Sequence, residues 1–369
     1  MLPRALALLF CLVLAACAGE KRPGALIPVT GAETGGRPLD IMVATARGRD
    51  AATGFFNDAR ARSLNFQTLR LSIPPGHEAG KIEWPDSLPG NPAKDFVALD
   101  NRATDAAGFV RAVESRLTPS GEVLVFVHGY NTQHEDAVFR LAQIAIDSGL
   151  KEVPVAFTWP SRGDVRDYVT DRESIMAARG LLEETLRLLA RSPRVRKIKL
   201  FAHSMGAMLT METLVSLKLQ GDGELNGKLD ALVLASPDID VDVFLSQFSI
   251  IGKRPRPTII LISRDDRALN LSRRIAGNVV RVGAASPTDP ASVAAIRTYG
   301  FTVIDLTNVQ TSDRTNHTKF ANSPAFLQQM GGHIEAGLTR GRNPVGAFIA
   351  DTAGAILDLP SDLLHTVAR

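Results

Sequence analysis

The stretch KIKLFAHSMGAMLTME, residues 197–212, joins an apolar run to a helical pattern through a single serine. The run before the serine is typical of a short buried strand, and the apolar side chains after it recur at helical spacing. Ser204 lies at the corner, with Ala202 and Gly206 two positions away on either side. A sharp strand-to-helix turn is crowded, so it needs small residues there, and it exposes the central hydroxyl at the end of a sheet. The stretch therefore predicts that Ser204 is a nucleophile, although Ala202 stands where glycine is commoner.

Eight runs rich in apolar and β-branched residues predict an α/β fold with a mostly parallel eight-stranded sheet flanked by helices. Several runs are apolar at successive positions, which suits strands that are covered on both faces. Helical patterns separate the runs from residue 122 onward, which is typical of right-handed βαβ units. The first two runs are expected to form an antiparallel edge of the same sheet. The runs lie at residues 39–45, 66–73, 122–128, 153–159, 197–203, 229–236, 257–263 and 301–307.

Two helix starts are predicted from capping boxes, in which a Thr is followed three residues later by a Glu. Thr132 and Glu135 precede the pattern AVFRLAQIAI, and Thr170 and Glu173 precede SIMAARGLLEETLRLLA. Both helices would follow a predicted strand directly, as βαβ units require.

The composition of the chain limits its class. The 369 residues carry a net charge of +3, which is too small to indicate nucleic acid as a partner. A hydrophobic content of 45% is ordinary for a globular protein and argues against global disorder. The chain has two cysteines, Cys11 and Cys17. The sequence after them therefore holds no disulfide and no thiolate for catalysis or metal binding.

The N-terminal region indicates export. Arg4 and the apolar run ALALLFCLVLAA are typical of a secretory signal, because the run is too short to span a bilayer. The run ends in LAAC, which resembles the lipobox of bacterial lipoproteins, in which the cysteine is acylated and becomes the new N-terminus. The resemblance implies a signal peptide over residues 1–16 and a membrane anchor at Cys17. Ala18 after the cysteine favours the periplasmic face of the outer membrane. A plain signal peptide with an incidental cysteine is the alternative.

Three further segments follow from composition. Residues 17–38 are rich in Gly and Pro and are predicted to be a lipidated flexible tether. Residues 39–340 contain all the predicted strands and helices and form the folded domain. Residues 341–369 form an apolar C-terminal tail that is expected to pack on the domain or to lie on a membrane surface.

A serine hydroxyl is a weak nucleophile, so it needs donors that stabilise the oxyanion formed by its attack. The amide of Met205, the residue after the serine, is the first candidate donor. The stretch LVFVHGYN, residues 124–131, is a second strand that ends in a loop before a helix. The second donor is assigned to the amide of Tyr130, with Asn131 as the alternative. His128 and His203 are expected to be structural, His128 by bracing this loop.

The serine also needs a base and an acid that orients the base. The acid is expected after a later strand, where ILISRDDRAL offers Asp265 and Asp266. Asp266 is favoured because it precedes a helix start, and Asp238 in SPDIDVD is a further alternative. The same aspartates do not form a calcium loop, because the glycine and glutamate that such a loop needs are missing.

The base is expected after the last strand. His317 lies in a polar loop there, and His333 is the lesser candidate. The resulting order of serine, acid and histidine is that of one serine-hydrolase fold and differs from the orders of the others. The stretch TWPSRGDVRDYVTDRES, residues 158–174, is expected to form one wall of a substrate pocket, with Trp159 and Tyr168 as the contact residues.

The motifs FVHGYN, FTWPSRG, FAHSMG, VLASPDID, SRDDRALNLS and NHTKF together resemble the alpha/beta-hydrolase superfamily. More narrowly, the chain is similar to a poorly characterised bacterial family, a domain of unknown function, whose members often carry lipoprotein signals. The resemblance implies an esterase-like or lipase-like serine hydrolase that forms an acyl-enzyme from a small-molecule or lipid ester. No cofactor or metal is implied. Two alternatives stay open: a non-catalytic envelope lipoprotein that binds through this fold, and a peptidase, thioesterase or acyltransferase.

Overall fold

The computed structural model describes residues 23–29 and 35–328. The predicted signal peptide, the anchor at Cys17, His333 and the tail at 341–369 lie outside these residues. Within the described part of the chain, no helix is long and apolar enough to cross a membrane.

One nine-stranded sheet organises the described residues, in the order β3-β2-β1-β5-β4-β6-β7-β8-β9. Strands β4 to β9 run parallel to their neighbours, and β1 is parallel to β5 but antiparallel to β2. The predicted mostly parallel α/β fold with an antiparallel edge is thereby confirmed. The strands are β1 (Arg37–Arg49), β2 (Phe56–Ile73), β3 (Val97–Thr104), β4 (Glu122–Val127), β5 (Val153–Thr158), β6 (Lys197–His203), β7 (Leu229–Ala235), β8 (Thr258–Ile262) and β9 (Phe301–Asp305).

The predicted number of strands was wrong by one, because β3 was missed. Its sequence VALDNRAT is half polar, and its outer residues from Asp100 onward are largely solvent-accessible. Strand β3 pairs with β2 alone, so it forms the edge of the sheet. An edge strand needs fewer apolar residues than a central one, which removes the signal by which the central strands were found.

Eight α-helices and two short 3-10 helices connect the strands within the described residues. Helices α1, α3, α4 and α5 pack on one face of the sheet, and α2 packs on the other with the segment around Phe320. The α-helices are α1 (Ala106–Glu114), α2 (His134–Ser148), α3 (Tyr168–Arg191), α4 (Met205–Leu219), α5 (Val241–Ile251), α6 (Arg267–Ile275), α7 (Pro290–Tyr299) and α8 (Lys319–Asn322); the 3-10 helices are Val165–Asp167 and Val282–Ala284.

The central strands are buried because both faces of the sheet are covered. Along β4 the side chains alternate between the two core layers, with Val125 in one and Phe126 in the other. This double burial explains the uninterrupted apolar runs of the sequence.

Part of the predicted tether packs on the domain. Ala25 and Leu26 are buried, the N–H of Val29 donates to the carbonyl of Ala98 at 2.9 Å, and the side chain of Asn101 donates to the carbonyl of Leu26. The prediction that the whole of residues 17–38 is flexible was therefore wrong. The apolar side chains of this Gly- and Pro-rich stretch find a site beside β3, the edge strand that the sequence did not reveal.

Two buried ionic groups lie away from the carboxyl ends of the parallel strands. The Lys199 cluster joins this lysine on β6 to Glu122, at 2.7 Å, and to Glu152. The His77 bridge places the imidazole between Glu83, at 2.7 Å, and Asp147, at 2.8 Å.

Candidate active site

Ser204 occupies a strained turn between β6 and α4. Its backbone φ of 53° and ψ of −121° are unusual for a residue with a side chain and persist only where the surroundings fix them. The Ser204 N–H donates to the carbonyl of Ala235 at 2.9 Å, and the Ser204 carbonyl accepts from the N–H of Asp238 at 3.2 Å. The Ser204 side chain does not cap the helix. The hydroxyl is therefore held at the carboxyl end of the sheet without a role in the helix start.

Gly206 allows this turn to form. A Cβ atom at this position would lie 2.2 Å from the carbonyl oxygen of His128 and 2.7 Å from that of Val127. Both contacts are to backbone, which cannot rotate away. The glycine two positions after the serine is thus required by the close approach of helix α4 to the end of β4.

His317 and Asp266 form a direct pair. Nδ1 of His317 lies 2.6 Å from Oδ2 of Asp266, and the other carboxylate oxygen of Asp266 accepts from the N–H of Leu269 at 2.9 Å. Asp266 is fully buried at the start of α6, whereas the His317 side chain is 14% exposed. Burial alone would lower the pKa of His317, but the charge of Asp266 and the hydrogen bond to it outweigh burial and raise this pKa.

The two other candidate acids do not contact the imidazole of His317. Asp265 accepts from the ammonium of Lys319 at 2.9 Å and from the amide of Asn316 at 2.9 Å. Asp238 is buried and accepts from the hydroxyls of Tyr168 and Ser272, at 2.9 and 2.6 Å, and it forms an ion pair with Arg281 at 3.2 Å. Of the three aspartates, the geometry pairs Asp266 with the histidine.

Asp313 holds the loop that carries His317, and the sequence analysis missed it. Its Oδ2 accepts from the backbone N–H of His317 at 2.8 Å and of Thr318 at 2.7 Å, and its Oδ1 accepts from the N–H of Thr315 at 2.8 Å. Burial would raise the pKa of Asp313, but hydrogen bonds from the hydroxyl and the backbone N–H of both Thr315 and Thr318 outweigh it and lower the pKa to about 2. The clustering of Thr around Asp in TSDRTNHT is typical of such side-chain-to-backbone turns and could have revealed this role.

The imidazole of His317 lies next to the turn that carries Ser204. Its ring centroid is 4.7 Å from that of His203, the residue before the serine, and Nε2 of His203 is 3.3 Å from the carbonyl oxygen of His317. Among the described residues, no hydrogen bond joins the Ser204 hydroxyl to His317. Such bonds are often long in unliganded enzymes and shorten when substrate binds. His203 is buried and its pKa lies well below the ordinary value, which keeps it neutral between Phe320 and His317.

Residues 128–133, which we term the oxyanion loop, lie against the Ser204 turn. A Cβ atom on Gly129 would be 3.0 Å from the Cβ of Ser204. His128 braces the loop, since its Nδ1 is 2.8 Å from the carbonyl oxygen of Gly129 and its Nε2 accepts from the N–H of Trp159 at 3.0 Å. The Tyr130 hydroxyl donates to the carbonyl of Asp164 at 3.1 Å.

Met205 is the first residue of α4, so its amide is one of the N-terminal groups that have no acceptor within the helix. Such amides favour negative charge at a helix start. The structure thus brings a helix N-terminus and the oxyanion loop together at one serine.

The two predicted contact residues of the pocket wall have other partners. Trp159 is 0% exposed, stacks on His128 with centroids 5.0 Å apart, and donates from its indole to the His128 carbonyl. Its assignment to a substrate contact was wrong, because it has no free surface and instead supports the oxyanion loop. Tyr168 is buried, packs edge-on against Tyr130 and donates to Asp238. Burial raises the pKa of Tyr168 to about 12, so its hydroxyl remains a donor.

Metal-binding side chains do not gather in this site. Across residues 23–29 and 35–328, no group of three or more His, Cys, Asp or Glu residues could hold a metal ion.

A mostly parallel sheet with a serine at a strand-to-helix turn, followed along the chain by an acid and a histidine at the same edge, defines an alpha/beta hydrolase. The family model described as "Alpha/beta hydrolase of unknown function (DUF900)" matches residues 106–333, more than half of the chain, and the chain belongs to this family. The predicted superfamily resemblance is confirmed.

Several solved structures are similar to the chain at low identity. An esterase of Pyrobaculum calidifontis is 11% identical, with a TM-score of 0.35, and the alignment covers 88% of this chain and 89% of the esterase. A metagenomic carboxyl esterase is 14% identical over 59% of this chain and 77% of its own, with a TM-score of 0.33. The RedJ thioesterase of Streptomyces coelicolor is 16% identical over 58% and 86%, with a TM-score of 0.31. These similarities carry no argument about activity. No curated protein sequence matches the chain.

Proposed function

We propose that the protein is a serine hydrolase that cleaves carboxylic esters through Ser204, His317 and Asp266. The observation that carries the proposal is the 2.6 Å contact between His317 Nδ1 and Asp266 Oδ2 in a loop that packs against the Ser204 turn. The Asp266 carboxylate is fully buried while the His317 side chain keeps 14% of its surface exposed, which suits an orienting acid and a base that can reach a substrate. The raised pKa of His317 suits a base that must accept a proton near neutral pH.

The proposed reaction begins with attack of the Ser204 oxygen on the ester carbonyl carbon. The Nδ1–H group of His317 donates a hydrogen bond to Asp266, and the proton stays on Nδ1. Nε2 therefore carries the lone pair and takes the proton of the Ser204 hydroxyl. Asp266 stabilises the imidazolium that forms. The tetrahedral intermediate then expels the alcohol, which receives the proton from His317, and an acyl-enzyme remains. Water, deprotonated by the same imidazole, releases the acid and restores Ser204.

The oxyanion in this mechanism would accept from the amides of Met205 and Tyr130. Each such donor contributes roughly 3 kcal/mol to stabilisation of the transition state. The helix start at Met205 supports the first assignment, and the contact of Gly129 with Ser204 supports the second.

A fluorophosphonate probe tests the proposal, because it forms a covalent bond with an activated serine. We expect the full chain to be labelled, Ser204→Ala to remain unlabelled, and Ser249→Ala to label like the wild type, because Ser249 is exposed on α5. Labelling that persists in Ser204→Ala would refute the assignment. A p-nitrophenyl ester series of increasing acyl length, with matched thioester and peptide substrates, then tests the ester class.

We also propose that Cys17 carries a lipid that anchors the protein to the bacterial cell envelope, at the periplasmic face of the outer membrane. The LAAC motif supports the anchor, and Ala18 supports the choice of membrane. The variant Cys17→Ser should move the protein from the membrane fraction to the soluble fraction. Membrane retention unchanged by this substitution would rule out the anchor.

A further inference from the structure

Arg47 is a buried arginine on strand β1 that the mechanism above does not use. The register of β1 against β2 is irregular on both sides of it, between Thr45 and Arg47 and between Arg47 and Arg49. Irregularities of this kind redirect a side chain from its regular position in the sheet. The Arg47 side chain points into the protein and the residue is 2% exposed. Burial lowers the pKa of Arg47 to about 10, so the guanidinium is still charged at neutral pH.

The guanidinium of Arg47 donates to backbone carbonyls in two loops beside the candidate site. Nη2 donates to the carbonyl of Thr132 at 2.7 Å, and Nη1 donates to that of Ser161 at 3.0 Å. A third, longer bond of 3.3 Å reaches the carbonyl of Asn57. Thr132 belongs to the oxyanion loop, which follows β4, and Ser161 lies in the loop that follows β5. A buried cation is costly to stability. This one bridges two loops that helix α2 and strand β5 separate along the chain.

Ser161 completes the attachment of Thr132. Its hydroxyl oxygen accepts from the N–H of Thr132 at 3.2 Å and donates to the buried carboxylate of Asp171 at 2.5 Å. The carbonyl and the N–H of Thr132 are therefore both held, one by Arg47 and the other by Ser161. Thr132 follows the proposed oxyanion donor Tyr130 by two residues, and Asn131 between them has a φ of 54°. A left-handed backbone strains a residue that has a side chain, so the turn at Asn131 persists only where the neighbouring backbone, here that of Thr132, is held in place.

We propose that Arg47 is a positioning residue that fixes the oxyanion loop, so that the Tyr130 amide points at the oxyanion. The inference rests on the proposed function and deepens it. Lysine is expected to replace Arg47 only in part, because its donors all lie on one nitrogen, whereas the guanidinium reaches Thr132 and Ser161 from two separate nitrogens. Methionine fills similar space and supplies no donor.

The test compares Arg47→Lys and Arg47→Met with the wild type in the full chain, using p-nitrophenyl acetate and the fluorophosphonate probe to count active molecules. A displacement of a catalytic group by about 1 Å costs on the order of 100-fold in rate. We therefore expect kcat per active molecule to fall by about that factor in Arg47→Met and by less in Arg47→Lys, with KM nearly unchanged. The control is Arg254→Lys, since Arg254 is also buried and also donates to backbone carbonyls. These carbonyls lie at the amino ends of β7 and β8, whereas the candidate site lies at the carboxyl ends of the strands. Arg254→Lys should lower the melting temperature and leave kcat unchanged.

Wild-type kcat in folded Arg47→Lys and Arg47→Met would overturn this inference alone. Absence of both hydrolysis and labelling in the wild type would instead overturn the proposed function together with the role of Arg47 in it. If the Arg47 variants do not fold, Ser161→Ala removes the hydroxyl that holds the Thr132 N–H and keeps the guanidinium. An undiminished kcat in Ser161→Ala would then contradict the attachment of the loop, and a reduced kcat at unchanged KM would support it.

Discussion

Replacing Gly206 by alanine tests whether the approach of helix α4 to strand β4 builds the Ser204 turn. The new Cβ would lie 2.2 Å from the carbonyl oxygen of His128 and 2.7 Å from that of Val127. An ordinary carbon–oxygen contact is about 3.3 Å, so the first contact is too short by about 1 Å. Because both oxygens belong to the backbone at the end of a central strand, the start of the helix would have to move.

The expected cost of this movement is about 3 kcal/mol in the free energy of unfolding, at the upper end for overpacking in a core. The same movement displaces the Ser204 hydroxyl and the Met205 amide, which should lower kcat on the order of 100-fold. Urea unfolding followed by circular dichroism gives the first quantity, and p-nitrophenyl acetate hydrolysis per folded molecule gives the second.

Gly180→Ala is the matched control for Gly206→Ala. Gly180 lies in the interior of α3, where a Cβ would meet nothing within 4 Å. Alanine should therefore stabilise the protein by up to ~1 kcal/mol through helix propensity and leave kcat unchanged. The reasoning fails if Gly206→Ala stays within about 0.5 kcal/mol of the wild type, the range of an ordinary surface substitution, and keeps its activity.

Three other substitutions test the charges of the structure. Asp266→Asn should lower kcat on the order of 10⁴-fold. It should also move the acidic limb of the pH profile of kcat/KM to lower pH, because the Asp266 charge raises the pKa of His317. If the residual activity keeps an unshifted acidic limb, Asp266 is not paired with His317. Burial would lower the pKa of His77, but the carboxylates of Asp147 and Glu83 outweigh burial and raise this pKa. His77→Gln should therefore remove stabilisation that is full below the unfolded pKa of about 6.5 and is lost as pH rises through the raised pKa. The difference from the wild type in the free energy of unfolding in urea should shrink as pH rises above about 6.5, and a constant difference would contradict a charged bridge. Lys199→Met should lower the free energy of unfolding by about 3 kcal/mol, because it leaves the two glutamates of the cluster without their buried cation. Activity per folded molecule should not change. A stability equal to that of the wild type would show that the cluster contributes nothing to stability.

The central strands could be predicted from sequence because burial on both faces requires continuous apolar runs. Strand β3 could not, because it is an edge strand with polar residues. The predicted capping box of Thr132 was displaced by one residue, since Asp136 accepts from the N–H of Gln133 at 2.9 Å. The box of Thr170 was wrong, because α3 already begins at Tyr168. Gln133 and Asp136 have the same three-residue spacing as Thr132 and Glu135, so the spacing alone could not select the cap.

The candidate site shows the same division between local and distant contacts. The Ser204 turn depends on neighbours two residues away, so its residues could be found by spacing. The sequence limited the acid that pairs with His317 to three aspartates. The choice among them depends on a contact between residues 51 positions apart in the chain. Arg47 contacts Thr132 across 85 positions and bonds to backbone carbonyls, which are the same for every residue type. No pattern of side chains could therefore indicate its partners.

The docking of residues 23–29 beside β3 shortens the reach of any anchor attached at Cys17. A fully extended chain spans about 3.5 Å per residue, so the six steps from Cys17 to Pro23 cover about 20 Å at most. Free residues as far as Pro38 would have allowed about 70 Å. A lipid at Cys17 would thus hold the edge of the sheet close to the bilayer and would limit how far the proposed active site can lie from the membrane.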